Sequence, residues 1–190
     1  MIFKVIGFAA AFYAALVLLM YIFQRRLMYR PFAEMHPPEK YGLHSAKHIR
    51  ITTGDNVTIS SWIHPAAEDK ETIVYFHGNL GNLGALERPA KFAAFLKKGF
   101  GLLAISYRGY GTSGGKPHEA GFYHDARAAI EYLHESGVPY GKMVFLRRVI
   151  GQRHRAANGH RISKCQGPGT GSALYFRGGA RGGNLPVDTG

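Results

Sequence analysis

Cysteine is nearly absent from the 190 residues: Cys165 stands alone. A single thiol closes no internal disulfide, so a disulfide-stapled fold is excluded. Internal repeats and low-complexity tracts are lacking too, which excludes a solenoid. No cofactor and no metal is called for. Acidic residues are scarce, 12 Asp/Glu against 24 Lys/Arg, a net charge of +12. That excess is not evenly spread. Residues 1–146 carry 16 basic and 11 acidic side chains, a net of +5, and residues 147–190 carry 8 and 1, a net of +7. A uniformly basic nucleic-acid face would not be partitioned this way, and no nucleic acid is expected as a partner. What is plentiful is apolar residue, at 46%, ample for a globular core.

Part of that apolar content lies in one run. Val5 to Phe23 (VIGFAAAFYAALVLLMYIF) carries no charge or polar amide. Its nineteen residues, at about 1.5 Å each, nearly span a hydrocarbon core of roughly 30 Å. Lys4 precedes it, and Gln24, Arg25, Arg26 and Arg30 follow. Residues 1–30 are therefore expected to be a single-pass anchor with a basic flank, touching membrane lipid through residues 4–26. A cleaved signal peptide is the competing reading, but the small residues cluster inside the run and not after it. The arginines after the run favour a cytoplasmic body.

Residues 31–42 form a Pro-rich connector, too broken for a helix. Structural elements then alternate. Lys47–Thr53 and Val57–Ile63 flank Gly54-Asp55-Asn56, the pattern of a β-hairpin. Thr72–Phe76 (TIVYF) and Phe100–Ile105 (FGLLAI) are short apolar runs, expected as buried strands. Pro89–Lys98 reads as a helix, with Pro in its first turn and Gly99 past its end. Glu119–Ser136 is a longer helix, with Phe122, Ala126, Ala129, Ile130 and Leu133 on one face and Gly137 as its stop. Lys142–Leu146 begins another strand. This alternation predicts an α/β fold with a mostly parallel sheet and right-handed crossovers.

Two glycine-rich loops follow buried strands. His77-Gly78-Asn79-Leu80 follows TIVYF, and Tyr107-Arg108-Gly109-Tyr110-Gly111-Thr112-Ser113 follows FGLLAI. With their spacing, these loops resemble the α/β hydrolase superfamily. The resemblance is to its membrane-anchored branch, similar to serine aminopeptidases and monoglyceride lipases, and covers roughly residues 43–146. It implies the N-terminal part of a doubly wound, mostly parallel hydrolase sheet behind a transmembrane helix. It also implies that His77, Gly78, Asn79 and Leu80 form the oxyanion loop. The second loop, through Tyr107, Arg108, Gly109, Tyr110, Gly111 and Ser113, would be structural. One departure is Ser106, where such proteins often carry Asp.

Residues 111–115 formally match G-x-S-x-G. A nucleophile elbow, however, turns from a strand straight into a helix. Here Lys116 and Pro117 intervene, so Ser113 is not expected to be the nucleophile. The elbow should follow the Lys142–Leu146 strand, where relatives read roughly VFYGESLGSG. This chain reads Arg147-Arg148-Val149-Ile150-Gly151 there, with no Ser and no later Asp and His placed as triad partners. From Arg147 onward the chain turns Gly- and Arg-rich without strand or helix period. Possible codons for Leu146–Gly151, CTA CGG CGA GTC ATT GGG, shifted by one base give TAC GGC GAG TCA TTG GG, or YGESLG. Likewise Gly151–Arg155 can yield GSGTA, Asn158–Gln166 MATEYPSAK and Gly167–Phe176 ALVLEAPYTS. Residues 147–190 are thus expected to be an out-of-frame, disordered tail. The Lys142 strand is expected to end as an apolar, unpaired edge.

Two function classes follow. One is a serine hydrolase of small esters or amides, inactive as written and with no catalytic residue present. The other is a non-catalytic membrane protein whose basic tail binds anionic lipid or nucleic acid. Sparse aromatic interleaving in the tail favours the first.

Overall fold

The computed structural model describes residues 2–148 and 160–164. The chain divides into two compact units, Met1–Arg30 and Pro31–Gly190. In the first, helix α1 runs Ile2–Met28. Its Ile2–Gln24 stretch, 23 residues, is long and apolar enough to cross a membrane. At about 1.5 Å per residue it reaches roughly 35 Å, and none of it is buried.

In the second unit the connector contains one feature not expected from its prolines, a 3₁₀ turn at Pro38–Tyr41. Pro38 suits its first position, and Gly42 closes it with φ 78°. Six strands then form one sheet: β1 Lys47–Thr52, β2 Thr58–His64, β3 Thr72–Phe76, β4 Gly101–Ser106, β5 Met143–Arg148 and β6 His160–Lys164. Their spatial order is β1-β2-β4-β3-β5-β6. The central β4, β3 and β5 pair in parallel, and β2 is antiparallel to both β4 and β1. Four of the six strands, β1, β3, β4 and β5, therefore share one direction. The mixed, mostly parallel sheet expected from the sequence is present.

Helix α2 (Arg88–Lys97) and helix α3 (Glu119–Glu135) cover opposite faces. Side chains alternate along a strand, so β3 serves both. Ile73 and Tyr75 pack with Phe92 of α2, Trp62, Leu102 and Ala104. Val74 and Phe76 pack with Leu103, Ile105, Phe145 and the α3 residues Ala126, Ala129, Ile130 and Leu133. Each such side chain contributes about 1.5–3 kcal/mol on full burial, which is why strands exposed to neither face read as continuous apolar runs. The apolar stripe read along α3 is the buried one, and Gly137, at φ 90°, follows its end.

The expected unpaired edge on β5 is corrected. His160–Lys164 lies antiparallel to β5, with Phe145 opposite Ser163 and Leu146 opposite Ile162. An apolar edge strand presents unpaired N–H and C=O groups, and the His160–Lys164 backbone pairs with them. The rest of the 147–190 tail, residues 149–159 and 165–190, on which the out-of-frame reading falls, lies outside the described residues.

Candidate active site

Strands β3 and β5 are parallel neighbours in register, Phe76 opposite Arg147. Neighbouring strands lie about 4.8 Å apart, so the loop starting at His77 begins beside the carboxyl end of β5. In open α/β sheets, clefts form at these carboxyl ends.

The 77–80 loop is held by side chains from three places. His77 is buried, and its Nε2 accepts the Tyr107 N–H at 3.1 Å. That places the ring proton on Nδ1, which donates to the Gly78 carbonyl. Burial lowers the His77 pKa to about 3, so the ring is neutral. It packs in edge-type contacts with the rings of Tyr107 and Tyr110, at centroid distances of 5.0 and 4.8 Å and interplanar angles of 64°. His77 thus ties the two glycine-rich loops together from inside the protein. Next, Tyr110 donates its hydroxyl to the Asn79 carbonyl at 3.0 Å. Finally, the buried Arg88 donates through Nη2 to the Leu80 carbonyl at 2.7 Å, and through Nη1 to that of Asn82.

Three successive carbonyls, Gly78, Asn79 and Leu80, are therefore turned onto buried donors. In a trans peptide the following N–H points opposite to the carbonyl. The amides of Asn79, Leu80 and Gly81 are each fixed in this way, which is what a preorganised oxyanion site needs. The glycine requirement falls at Gly81 and not at Gly78. A Cβ on Gly78 would meet nothing within 4 Å, whereas Gly81 has φ 80° and a Cβ there would lie 2.7 Å from Ala85 Cβ.

The 107–113 loop is pinned more heavily. Arg108 is buried and donates Nη1 and Nη2 to Asp55 at 2.7 and 2.9 Å, in the turn between β1 and β2. Its Nε and backbone N–H donate to the two Asp125 oxygens, both at 2.9 Å. Hydrogen bonds from Arg108 and then Thr53 hold the Asp55 carboxyl well below the usual carboxylate range. Burial pushes Asp125 up, countered by its Arg108 bonds, while Asp55 and Asp125 together raise Arg108 further. Gly109 and Gly111 have φ 76° and 55°, and a Cβ on Gly109 would come within 2.5 Å of Pro117 Cδ. Ser113 Oγ donates to the Ser106 carbonyl at 2.7 Å and accepts the Ser60 N–H at 2.9 Å. Ser106 itself is buried and donates Oγ to the Tyr110 carbonyl at 3.0 Å.

Arg88, Asp55 and Asp125 were missed as contributors to these loops. Asp125 carried a signal, since it interrupts an otherwise apolar helical face. Among the described residues no group of His, Cys, Asp and Glu is arranged to hold a metal ion.

No family model matches the chain. Among solved structures, the esterase Pf2001 of Pyrococcus furiosus is 28% identical with a TM-score of 0.49, covering 57% of this chain and 42% of its own. Among curated proteins, protein bem46 of Schizosaccharomyces pombe is 40% identical over 90 residues, 46% of this chain and 30% of bem46. The uncharacterized YfhR of Escherichia coli K12 is 28% identical over 129 residues, 65% of this chain and 44% of its own. The lysophosphatidylserine lipase ABHD12 of Xenopus tropicalis is 24% identical over 131 residues, 59% of this chain and 34% of that lipase. The chain spans less than half the length of each of these relatives. With the strand order and the two loops, these sequence relatives place the described domain in the α/β hydrolase superfamily.

Proposed function

We propose that this chain carries the amino-terminal half of a membrane-anchored serine hydrolase site, acting in intact relatives on small esters or amides, and that it is inactive as written. The observation that carries the proposal is the adjacency of β3 and β5 with the carbonyl-pinned loop between them. Acyl transfer needs a nucleophile beside oxyanion donors, and the end of β5 is where an elbow would meet the 77–80 loop. Asn79 and Leu80 supply the amides on one side. The second donor would be the residue after the nucleophile. The sequence from Arg147 to Ile162 contains no Ser, Thr or Cys, so no nucleophile stands there. A one-base shift supplies YGESLG at that point, in register with β5. The 107–113 loop is scaffolding in this reading, with both sides of the Ser113 hydroxyl engaged. The helix Ile2–Gln24 serves as the anchor, with the body in the cytoplasm.

Labelling by a fluorophosphonate probe tests this. The written chain should stay unlabelled and the product of a one-base-corrected gene should label, with the restored elbow serine required. Loss of a triad member costs ~10⁴-fold or more in turnover, so the contrast is large. Labelling of the written chain that Ser113→Ala abolishes would overturn the site. A folded corrected product that does not label would overturn the hydrolase assignment in favour of a non-catalytic membrane protein.

A further inference from the structure

Outside α1, the described residues include four exposed large apolar side chains: Phe32 at 48%, Leu80 at 41%, Leu86 at 55% and Tyr123 at 41%. Phe32 lies against the segment that carries two of the others, Leu80 and Leu86. A Cβ placed on Gly81 would lie 3.5 Å from Phe32 Cδ2 and 2.7 Å from Ala85 Cβ. Leu80 and Leu86 are the chain neighbours of Gly81 and Ala85. The Phe32 carbonyl accepts both Asn82 Nδ2 and the Gly111 N–H at 3.0 Å, which fixes its backbone beside them. Leu86 is also held at φ 59°, a conformation that Gly or Asn adopts far more cheaply. A strained, solvent-facing leucine gains nothing from the fold of this domain that would offset its backbone.

We propose that this Phe32–Leu80–Leu86 rim docks into the interface of an anionic lipid bilayer. The proposal rests on the reading of Ile2–Gln24 as a membrane anchor. Helix α1 ends at Met28, and Phe32 follows four residues later. Fully extended chain of that length reaches about 14 Å, so Phe32 cannot leave the neighbourhood of the bilayer surface. Arg25, Arg26 and Arg30 stand on the same stretch and match anionic headgroups. An apolar cluster next to a basic flank is the composition that inserts about 5–10 Å into the boundary between headgroups and acyl chains. Docking there would hold the 77–80 loop at the membrane surface.

The test uses the full chain in vesicles of phosphatidylcholine and phosphatidylglycerol, with and without lipids brominated near the headgroup end of the acyl chain. The native Trp62 is buried in the core and supplies an unquenched background that also reports folding. Leu86→Trp adds a probe on the rim, Phe32→Trp a second at another backbone position, and Tyr123→Trp a control on α3. The expected result is a blue-shifted added emission for both rim variants, most of it lost in brominated vesicles, and none lost for the control. A folded, vesicle-bound rim variant whose added emission is quenched by aqueous iodide, and not by brominated lipid, overturns the docking. Failure of the chain to float with vesicles would instead overturn the anchor on which it rests.

Discussion

The buried His77 makes stability depend on pH in a window of its own. Its folded pKa of about 3 lies below the ordinary histidine value of 6.5 because burial penalises the imidazolium. Between those values the unfolded chain binds a proton that the folded chain refuses. The stability this residue contributes is therefore fully present above pH 6.5 and falls as pH drops toward 3. Linkage gives about 1.4 kcal/mol lost at pH 5.5 and about 2.7 kcal/mol at pH 4.5, relative to neutrality. Protonation would also destroy the acceptor that holds the Tyr107 N–H. His77→Gln removes the titration while retaining one acceptor and one donor. At pH 7.5 it should cost about 1–2 kcal/mol through imperfect hydrogen bonds and lost packing between Tyr107 and Tyr110.

The assay is urea unfolding in mild detergent, followed by fluorescence. Trp62 is the only tryptophan and is fully buried, so its emission reports the core without engineering. Comparing the parent with His77→Gln cancels the other nine histidines to first order. The two stability curves should converge as pH falls from 6.5, cross between about pH 5.7 and pH 5, and diverge with the variant the more stable by pH 4.5. Parallel curves over that range, or an NMR titration placing folded His77 near 6.5, would refute the buried neutral tie between the loops.

Arg108 is a second point of dependence. Arg108→Met leaves the fully buried Asp125 carboxylate without its partner and should cost about 3–5 kcal/mol by chemical denaturation, whereas Arg108→Met with Asp125→Leu should recover much of that. Ser113→Ala removes the acceptor of the Ser60 N–H and the donor to the Ser106 carbonyl, so it should lower stability by about 1–3 kcal/mol while leaving the labelling of the corrected gene product unchanged.

Much of the sheet was legible because its strands are buried on both faces. TIVYF and FGLLAI have no polar alternation to confuse with a surface strand, and Thr72–Phe76 is observed with the expected bounds. Both helices fell within about a residue, since Pro89 and Glu119 mark starts and Gly99 and Gly137 mark ends. The site was legible only as a pair of glycine-rich loops. Long-range polar ties do not follow from periodicity. Arg88 to Leu80, Tyr110 to Asn79 and Arg108 to Asp55 join segments up to 53 positions apart, and each is a matter of tertiary geometry. The same limit explains the placement of the glycine requirement, which followed from crowding against Ala85 and not from the motif. The pairing of β6 with β5 was missed because His160–Lys164 carries no strong strand pattern of its own.

These ties also separate two demands that glycine-rich loops of this kind must meet together. A backbone that presents amides to a developing oxyanion must be rigid, yet its carbonyls cannot be left buried without donors. Here His77, Tyr110 and Arg88 each take one carbonyl, and none of those bonds uses an amide of Asn79, Leu80 or Gly81. All three donors come from the portion of the chain up to Arg88 and from the loop at Tyr110, so these three ties are made by residues that precede β5. On the function proposed above, a change in the segment after β5 leaves these ties in place. On that proposal the corrected gene product is expected to regain labelling through the segment restored beyond β5, serine and triad partners together, with no compensating change in residues 77–113.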